Sequence, residues 1–329
     1  MDLSIIIPMY NASDYIDNCL TSIKQQTWLP DQFEIIIVDD GSTDDSRDLV
    51  NNWSTKLPIK LLVQENQKQA VARNKALDQA TGQYILFVDS DDELAPDMIK
   101  HLYHGISGYS LVESGINKIF LDPTGNIVKR EIEHPAIQTA ASQNDLFKLY
   151  FGANTECDVG LWNKLFCHDI IMRNNLRFDN ANFFEDSLFV GQYLRLIQYD
   201  QIKYIKQPLY NFYKRQASTT TSFHQEIDQL SSHYISKCAM LFEQTSLSTT
   251  ERASLLAALK LRVWIYTIHH HIKYDPQWRP QKQRQYLLCK IGLKSSFKLD
   301  VPLKYRLAFW SMLCFTTMYN KLYRRQYLA

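Results

Sequence analysis

Two acidic runs stand where this chain could do chemistry. Asp39-Asp40-Gly41-Ser42-Thr43-Asp44 follows Ile35-Ile36-Ile37-Val38, and Asp89-Ser90-Asp91-Asp92 follows Tyr84-Ile85-Leu86-Phe87-Val88. An apolar, β-branched stretch ending in acids reads as a buried parallel strand with carboxylates at its carboxyl end. Carboxylates gathered in one place raise one another's pKa unless a cation or donors compensate, so the simplest use of such a pocket is to hold a hard divalent metal and, through it, an anion. Neither G-x-G-x-x-G nor G-x-x-x-x-G-K-[ST] occurs among the ten glycines. A dinucleotide fingerprint and a P-loop are therefore excluded, and any diphosphate must be neutralised another way, by a metal on Asp89 and Asp91.

The elements that must position these acids can be read from periodicity. Strand patterns over residues 4–7, 34–38, 59–63 and 84–88 alternate with helix patterns over 15–26, 46–52 and 70–80. Such βα repeats imply an α/β fold with a mostly parallel, Rossmann-like sheet flanked by helices, whose ligands sit at the carboxyl ends of the strands. Beyond residue 110 the pattern is irregular. A hairpin is expected between residues 118–121 and 127–130 around Asp122-Pro123-Thr124-Gly125-Asn126, with helices over 143–150, 168–174 and 186–197 and two short strands at 202–205 and 209–213. From residue 223 the chain reads as helical, including a helix that opens on the capping box Ser248-Thr249-Thr250-Glu251. The expected domains are 1–222, divided into a ligand-binding half (1–104) and an acceptor half (105–222), and a helical C-terminal region over 223–329.

An apolar share of 45% with 22% charged residues suits a soluble globular protein. The net charge of +1 hides an asymmetry. From Pro276 onward eleven Lys/Arg face one acid, Asp300, a balance of +10, while the 25 basic and 34 acidic side chains before it give −9. The uncharged stretch at 307–320 is shorter than the ~20 residues of a spanning helix. Two readings stay open for this tail: an interfacial helix on anionic lipid at the inner membrane surface, or a helix packed on the body or on a second copy in a homo-oligomer. The six cysteines form no CxxC pair, which fits a reducing cytosol, and the chain starts directly into a strand without a basic leader, so a cytoplasmic, peripherally bound protein is expected. No basic, aromatic-interleaved nucleic-acid platform is visible.

Six segments carry a resemblance. Ile5-Ile6-Ile7-Pro8-Met9-Tyr10-Asn11, Val38 through Asp44, Ala72-Arg73-Asn74, Val88-Asp89-Ser90-Asp91-Asp92, Trp162-Asn163-Lys164-Leu165-Phe166 and Phe184-Glu185-Asp186 occur in the order seen in family 2 glycosyltransferases of the GT-A fold. The chain resembles these inverting enzymes over residues 1–220, and its helical remainder more loosely resembles tails of bacterial enzymes that build capsule, exopolysaccharide or teichoic-acid glycans. The resemblance implies a nucleotide-sugar donor, UDP-linked, a glycan or lipid-linked acceptor, and Mn²⁺ or Mg²⁺ as cofactor. It implies that Pro8, Tyr10 and Asn11 shape the base and ribose pocket and that Asp39 accepts from the uracil ring. Arg73 supports the nucleotide or the acidic motif, with a structural ion pair as the alternative.

By the same likeness Asp91 binds metal, Asp89 and Ser90 hold ribose or a metal-bound water, and His224 is a candidate third ligand. Arg215 and Ser218, in an R-x-x-S-x-T run, belong to a segment that closes over the diphosphate. Where relatives carry Gly before the arginine helix, this chain has Asn66-Gln67-Lys68-Gln69-Ala70, so Lys68 is expected on phosphate instead. Inversion needs a base that deprotonates the acceptor hydroxyl, and the family pattern assigns it to Asp186 with Glu185 in support. Trp162 offers a face for an acceptor sugar, or else is a core tryptophan. The alternatives to an enzyme are a receiver-like module, which would place its acids after the first strand, and a catalytically inactive scaffold, which would have lost Asp91 or Asp186.

Overall fold

The computed structural model describes residues 1–179, 183–215, 225–291 and 303–328. Its elements run, in chain order, β1 (Leu3–Met9), α1 (Ile16–Lys24), β2 (Phe33–Asp39), α2 (Ser46–Trp53), β3 (Ile59–Val63), α3 (Lys68–Leu77), β4 (Tyr84–Phe87), β5 (Glu93–Leu94), α4 (Met98–Gly105), β6 (Leu111–Leu121) and β7 (Ile127–Glu133). They continue with α5 (Gln143–Ala153), α6 (Glu156–Val159), β8 (Lys164–Cys167), α7 (His168–Arg173), α8 (Glu185–Leu196), β9 (Ile202–Lys214), α9 (Ile227–Glu243), α10 (Thr249–Tyr274), α11 (Pro280–Lys290), α12 (Leu303–Cys314) and α13 (Thr316–Leu328). The chain divides into two units, one of residues 1–143 and 155–216, the other of residues 144–154 and 217–329.

The first unit is built on the β-branched runs. Every residue of β1 is buried, because helices cover both faces of a parallel sheet and each isoleucine finds an apolar neighbour whichever way it points. β1 lies between β2 and β4, parallel to both, and β3 flanks β2. Helix α1 buries Ile16, Cys19, Leu20 and Ile23, the stripe that a 3.6-residue period gives. Gly82 enters β4 so close to β1 that a Cβ there would stand 2.4 Å from the Ser4 nitrogen.

Beyond β4 the sheet turns mixed. β8 pairs antiparallel with β4 and with the start of β6, β7 pairs with the end of β6, and β9 runs parallel to β6 along most of its length. The expected hairpin is present with longer strands, its turn held by Asp122, which accepts from the Thr124 and Asn126 nitrogens at 2.8 and 2.9 Å. The two short strands expected at 202–205 and 209–213 are instead one strand, β9, whose pairing skips Lys206 and Gln207. A bulge carries the break that the sequence pattern shows as an interruption.

The second unit is helical and includes residues 144–154, which the expected boundary at 222 had left with the sheet. Phe151 meets Phe242 edge-on at 4.8 Å, its carbonyl accepts from Arg262 Nη1 at 2.7 Å, and Lys148 pairs with Glu251 at 2.7 Å. The capping box forms: Glu251 N donates to Ser248 Oγ, and Glu251 Oε2 accepts from Ser248 N at 2.8 Å. The His269-His270-His271 run is structural where contacts show it. His269 bonds Tyr319 Oη at 2.7 Å with its pKa lowered to about 4 by burial, and His271 stacks on Trp278 at 4.3 Å. Among the described residues no helix is long and apolar enough to cross a membrane.

Candidate active site

The parallel order β3-β2-β1-β4 brings the ends of β1, β2 and β4 side by side, and both acidic runs leave the sheet there. Asn11, in a left-handed conformation (φ 47°), clasps the loop after β1 to the first run: its nitrogen donates to Ser42 Oγ at 2.9 Å and its Oδ1 accepts from Thr43 N at 2.8 Å. Pro8 is buried within β1, whereas Tyr10 is half exposed and presents an open ring beside Asn11. Asp44 accepts from Ser13 N and Ser46 N, and although burial opposes ionisation, the bonds from Ser46 and Ser13 hold its pKa at about 2. It ties the start of α2 to the loop after β1.

Asp39 is held from two sides. Its side chain is fully buried, Oδ1 accepts from Ser42 N at 3.0 Å, and Oδ2 is held by Arg47 Nε at 2.9 Å. Arg47, 43% exposed, lies between this carboxylate and solvent as its ion-pair partner. Asp40 is likewise internal: it accepts from Gln64 Nε2, Gln67 N and Lys68 N, all at 2.8 Å, and so shapes the loop into α3. That loop ends at Lys68, which has a φ of 72° and an exposed side chain.

Arg73 is the hub. Only 1% exposed, it extends from α3 to place Nη2 at 2.9 Å from Asp89 Oδ1 and Nη1 at 2.8 Å from Asp186 Oδ1, with Glu185 Oε1 at 3.6 Å. Phe178 lies against the guanidinium at 5.5 Å. Of the two readings of Arg73, contact with the nucleotide or an ion pair that supports the acidic motif, its burial and its carboxylate partners match the ion pair. It stays protonated at any working pH, because the charges of Asp186, Asp89 and Glu185 outweigh its burial. Glu185 and Asp186 open α8 behind Phe184, whose left-handed backbone (φ 63°) is costly for a bulky residue, about 1–3 kcal/mol. Gln69 Nε2 donates to Glu185 and fixes its carboxylate. Burial raises the Asp186 pKa well above the usual carboxylate range, opposed by Arg73 and reinforced by Glu185 and Asp89.

On the other side of Asp89, with Ser90 between them, Asp91 keeps 39% of its side chain exposed. Arg215, after the end of β9, donates Nη1 to Asp91 Oδ2 at 2.9 Å and Nη2 to the Asp91 carbonyl at 2.6 Å, its guanidinium lying 4.3 Å from the Tyr15 ring. Burial and then the charge of Asp89 raise the Asp91 pKa. Asp89 gives Oδ1 to Arg73 and Asp91 gives Oδ2 to Arg215, and each carboxylate has a second oxygen besides. Two such hard oxygens suit a divalent cation that keeps water and phosphate in its other positions, so the donor set fits Mg²⁺ or Mn²⁺. No three His, Cys, Asp or Glu side chains converge on one point among the described residues, and His224 and Ser218 lie outside them. Asp92 does not cap α4, whose N-cap is Asp97; it is buried and accepts from Tyr213 N at 2.8 Å, pinning β9 beside the site.

Trp162 is corrected from acceptor platform to core. It is 4% exposed, stacked on Tyr210 at 4.7 Å and packed on Phe212, while Gly160 lies so near that a Cβ there would come within 2.7 Å of the ring. The neighbouring Lys164 is wholly buried, paired with Glu113 at 2.8 Å and donating to the Cys157 and Gly160 carbonyls at 2.7 Å. Sequence reasoning missed Arg47, Gln69 and Lys164. Arg47 alone had a signal, a lone basic residue in the first turn after an acidic run; the other two meet their partners only through the tertiary fold.

Residues 4–155 match the family model described as glycosyl transferase family 2. The chain is 26% identical to the uncharacterized glycosyltransferase YibD of Escherichia coli (strain K12), covering 94% of this chain and 91% of that one. It is 38% identical to the poly(ribitol-phosphate) beta-N-acetylglucosaminyltransferase TarS of Staphylococcus aureus over 30% of this chain, which is 18% of that protein. The fold is similar to that of S. aureus TarS residues 1–349 in complex with UDP-GlcNAc, with a TM-score of 0.70, 20% identity and coverage of 99% and 90%.

Proposed function

Residues 4–155 are a family 2 glycosyltransferase domain of GT-A type, and from that premise we propose that the chain moves a sugar, with inversion, from a UDP-sugar to a hydroxyl of a cell-surface glycan or lipid-linked acceptor. The observation that carries this reading is Arg73, whose one guanidinium joins a carboxylate on the β4 side, Asp89, to a carboxylate on α8, Asp186. Donor and acceptor chemistry would then meet across a single fixed cation.

In this reading Asp186 takes the proton from the acceptor hydroxyl as it attacks the anomeric carbon, and Glu185, held by Gln69, keeps Asp186 in place. The nucleotide lies over the ends of β1 and β2, with the base against Tyr10 and with Asp39 accepting its imide N–H once Arg47 turns outward. Asp89 and Ser90 hold the ribose. Asp91, with Asp89 beside it, would hold Mg²⁺ or Mn²⁺, which when bound neutralises the leaving diphosphate. Arg215 leaves Asp91 for the diphosphate, together with Ser218, and Lys68 adds a further positive charge. The tail supports work at a cytoplasmic membrane surface: Leu303, Leu307, Phe315, Met318 and Leu322 are each more than half exposed and lie among Lys304, Lys321 and Arg325.

Turnover of a UDP-sugar panel with Mn²⁺, read as UDP release, tests the reading. Asp91→Asn should abolish metal-dependent turnover. Asp186→Asn should lower it about 10²–10⁴-fold, the range for loss of a general base, while thermal stabilisation by UDP persists. An Asp186→Asn protein that still transfers would refute that role, and a wild-type protein that binds UDP-sugars without releasing UDP to any acceptor would favour the inactive scaffold.

A further inference from the structure

A cavity of about 490 Å³ lies between α4 and the first residues of β9. Basic groups line it: Lys100, His101 and His104 from α4, Lys203 and Lys206 from β9. No carboxylate does. The β9 bulge helps build this wall, since Lys206 and Gln207 have no opposite residue on β6, and a bulge re-aims the side chains it carries. Two of the basic groups are braced by aromatic rings. Lys203 Nζ sits 5.6 Å above the Tyr109 ring, and the His104 ring packs on Trp28 at 4.6 Å.

None of the three ammonium groups has an ion-pair partner among the described residues. Residues 1–275 carry nine more acids than bases, so three unpaired lysines in one concavity are a local concentration against an acidic body. Like charges at this spacing repel, and a multiply charged anion seated among them removes the repulsion. The volume falls in the range of about 300–1,000 Å³ usual for small-ligand sites, larger than a single ion needs. Lysines suit phosphate because the compact ammonium binds it as a point charge from any direction. Arg215 follows Lys206 by nine residues of extended strand, on the order of 30 Å away, so this cavity is separate from the carboxylate cluster.

We propose that the cavity between α4 and the start of β9 is a binding site for a phosphate-bearing ligand with at least two phosphate groups. The chemistry is shared by a soluble phosphorylated compound and by a clustered phospholipid headgroup surface. The proposal does not depend on the transfer reaction.

Calorimetric titration of the full chain with inorganic tripolyphosphate in about 150 mM salt, where diffuse surface attraction is screened beyond ~8 Å, tests it. The wild type should bind saturably, Lys100→Gln/Lys203→Gln/Lys206→Gln should bind at least tenfold more weakly with an unchanged melting temperature, and the corresponding triple Arg variant should keep the affinity. Arg215→Gln should bind within twofold of wild type. Equal affinity in the triple Gln variant, or no saturable binding by wild type, overturns the site. Co-sedimentation with phosphatidylglycerol vesicles tells the sources apart: loss in the triple Gln variant assigns a headgroup, and tripolyphosphate binding without any such loss assigns a soluble phosphate ligand.

Discussion

Arg73 and Asp186 illustrate how little of a side chain's role lies in its own chemistry. A guanidinium in water would be a ligand for phosphate; buried under Phe178 with three acids around it, Arg73 is a fixed counter-charge. Without it, Asp89, Glu185 and Asp186 would share a low-dielectric space with no cation, an arrangement that costs several kcal/mol when one partner of a buried cluster is removed. Its presence does not return Asp186 to the ordinary carboxylate range, since burial dominates. The sign follows directly. The base is the carboxylate, so kcat/KM should rise with pH through a pKa above the usual 3.8. The folded protein binds this proton more tightly than the unfolded chain, so Asp186 lowers stability as pH climbs from that value toward the folded one. Chemical denaturation from pH 4 to 8 should therefore show a falling contribution that Asp186→Asn lacks; identical pH slopes for the two proteins would contradict it.

At the scale of elements, the site depends on strand ends meeting in register. β1 and β4 pair from Leu3 with Tyr84 to Ile6 with Phe87, which sets Asp89 two residues beyond the last pair. Gly82 permits that approach because any Cβ would strike the Ser4 backbone at 2.4 Å, and Ser4 Oγ accepts from the Gly82 nitrogen at 2.8 Å. Gly82→Ala should destabilise by roughly 1–3 kcal/mol, the usual cost of overpacking, and should lower donor binding along with it. Urea unfolding and UDP-sugar titration check this; a variant as stable as wild type would mean that β4 can move without moving the acids. The Trp162 segment works in the same way at one remove, its ring locked between Tyr210 and Gly160 and its neighbour Lys164 neutralised by Glu113.

For the whole molecule, charge is divided between an acidic catalytic part and a basic tail. Among its described residues the tail forms α11, α12 and α13, each too short to span a bilayer. Their exposed apolar residues with flanking Lys and Arg suit a headgroup layer. Deleting residues 303–329 should abolish flotation with phosphatidylglycerol vesicles and leave UDP-sugar turnover in solution. Flotation that survives the deletion would transfer membrane contact elsewhere, and the lysines of the α4–β9 cavity would be the first place to look.

Much of this was legible in the linear chain. The β-branched runs, the helix stripes of α1 and α3, the acids after β2 and β4 and the capping box of α10 are local patterns, written in neighbouring residues whose period decides which way each side chain points. So was the likeness to family 2 glycosyltransferases, because six short motifs kept their order. The partners were not legible. That Asp39 belongs to Arg47, that Arg73 holds Asp89 and Asp186, that Trp162 is core, and that residues 144–154 join the C-terminal helices all depend on which surfaces meet once the sheet curls. A residue's type and spacing fix what it can bond; only the tertiary structure, by deciding which groups are taken out of water together, decides what it does bond and at what pKa.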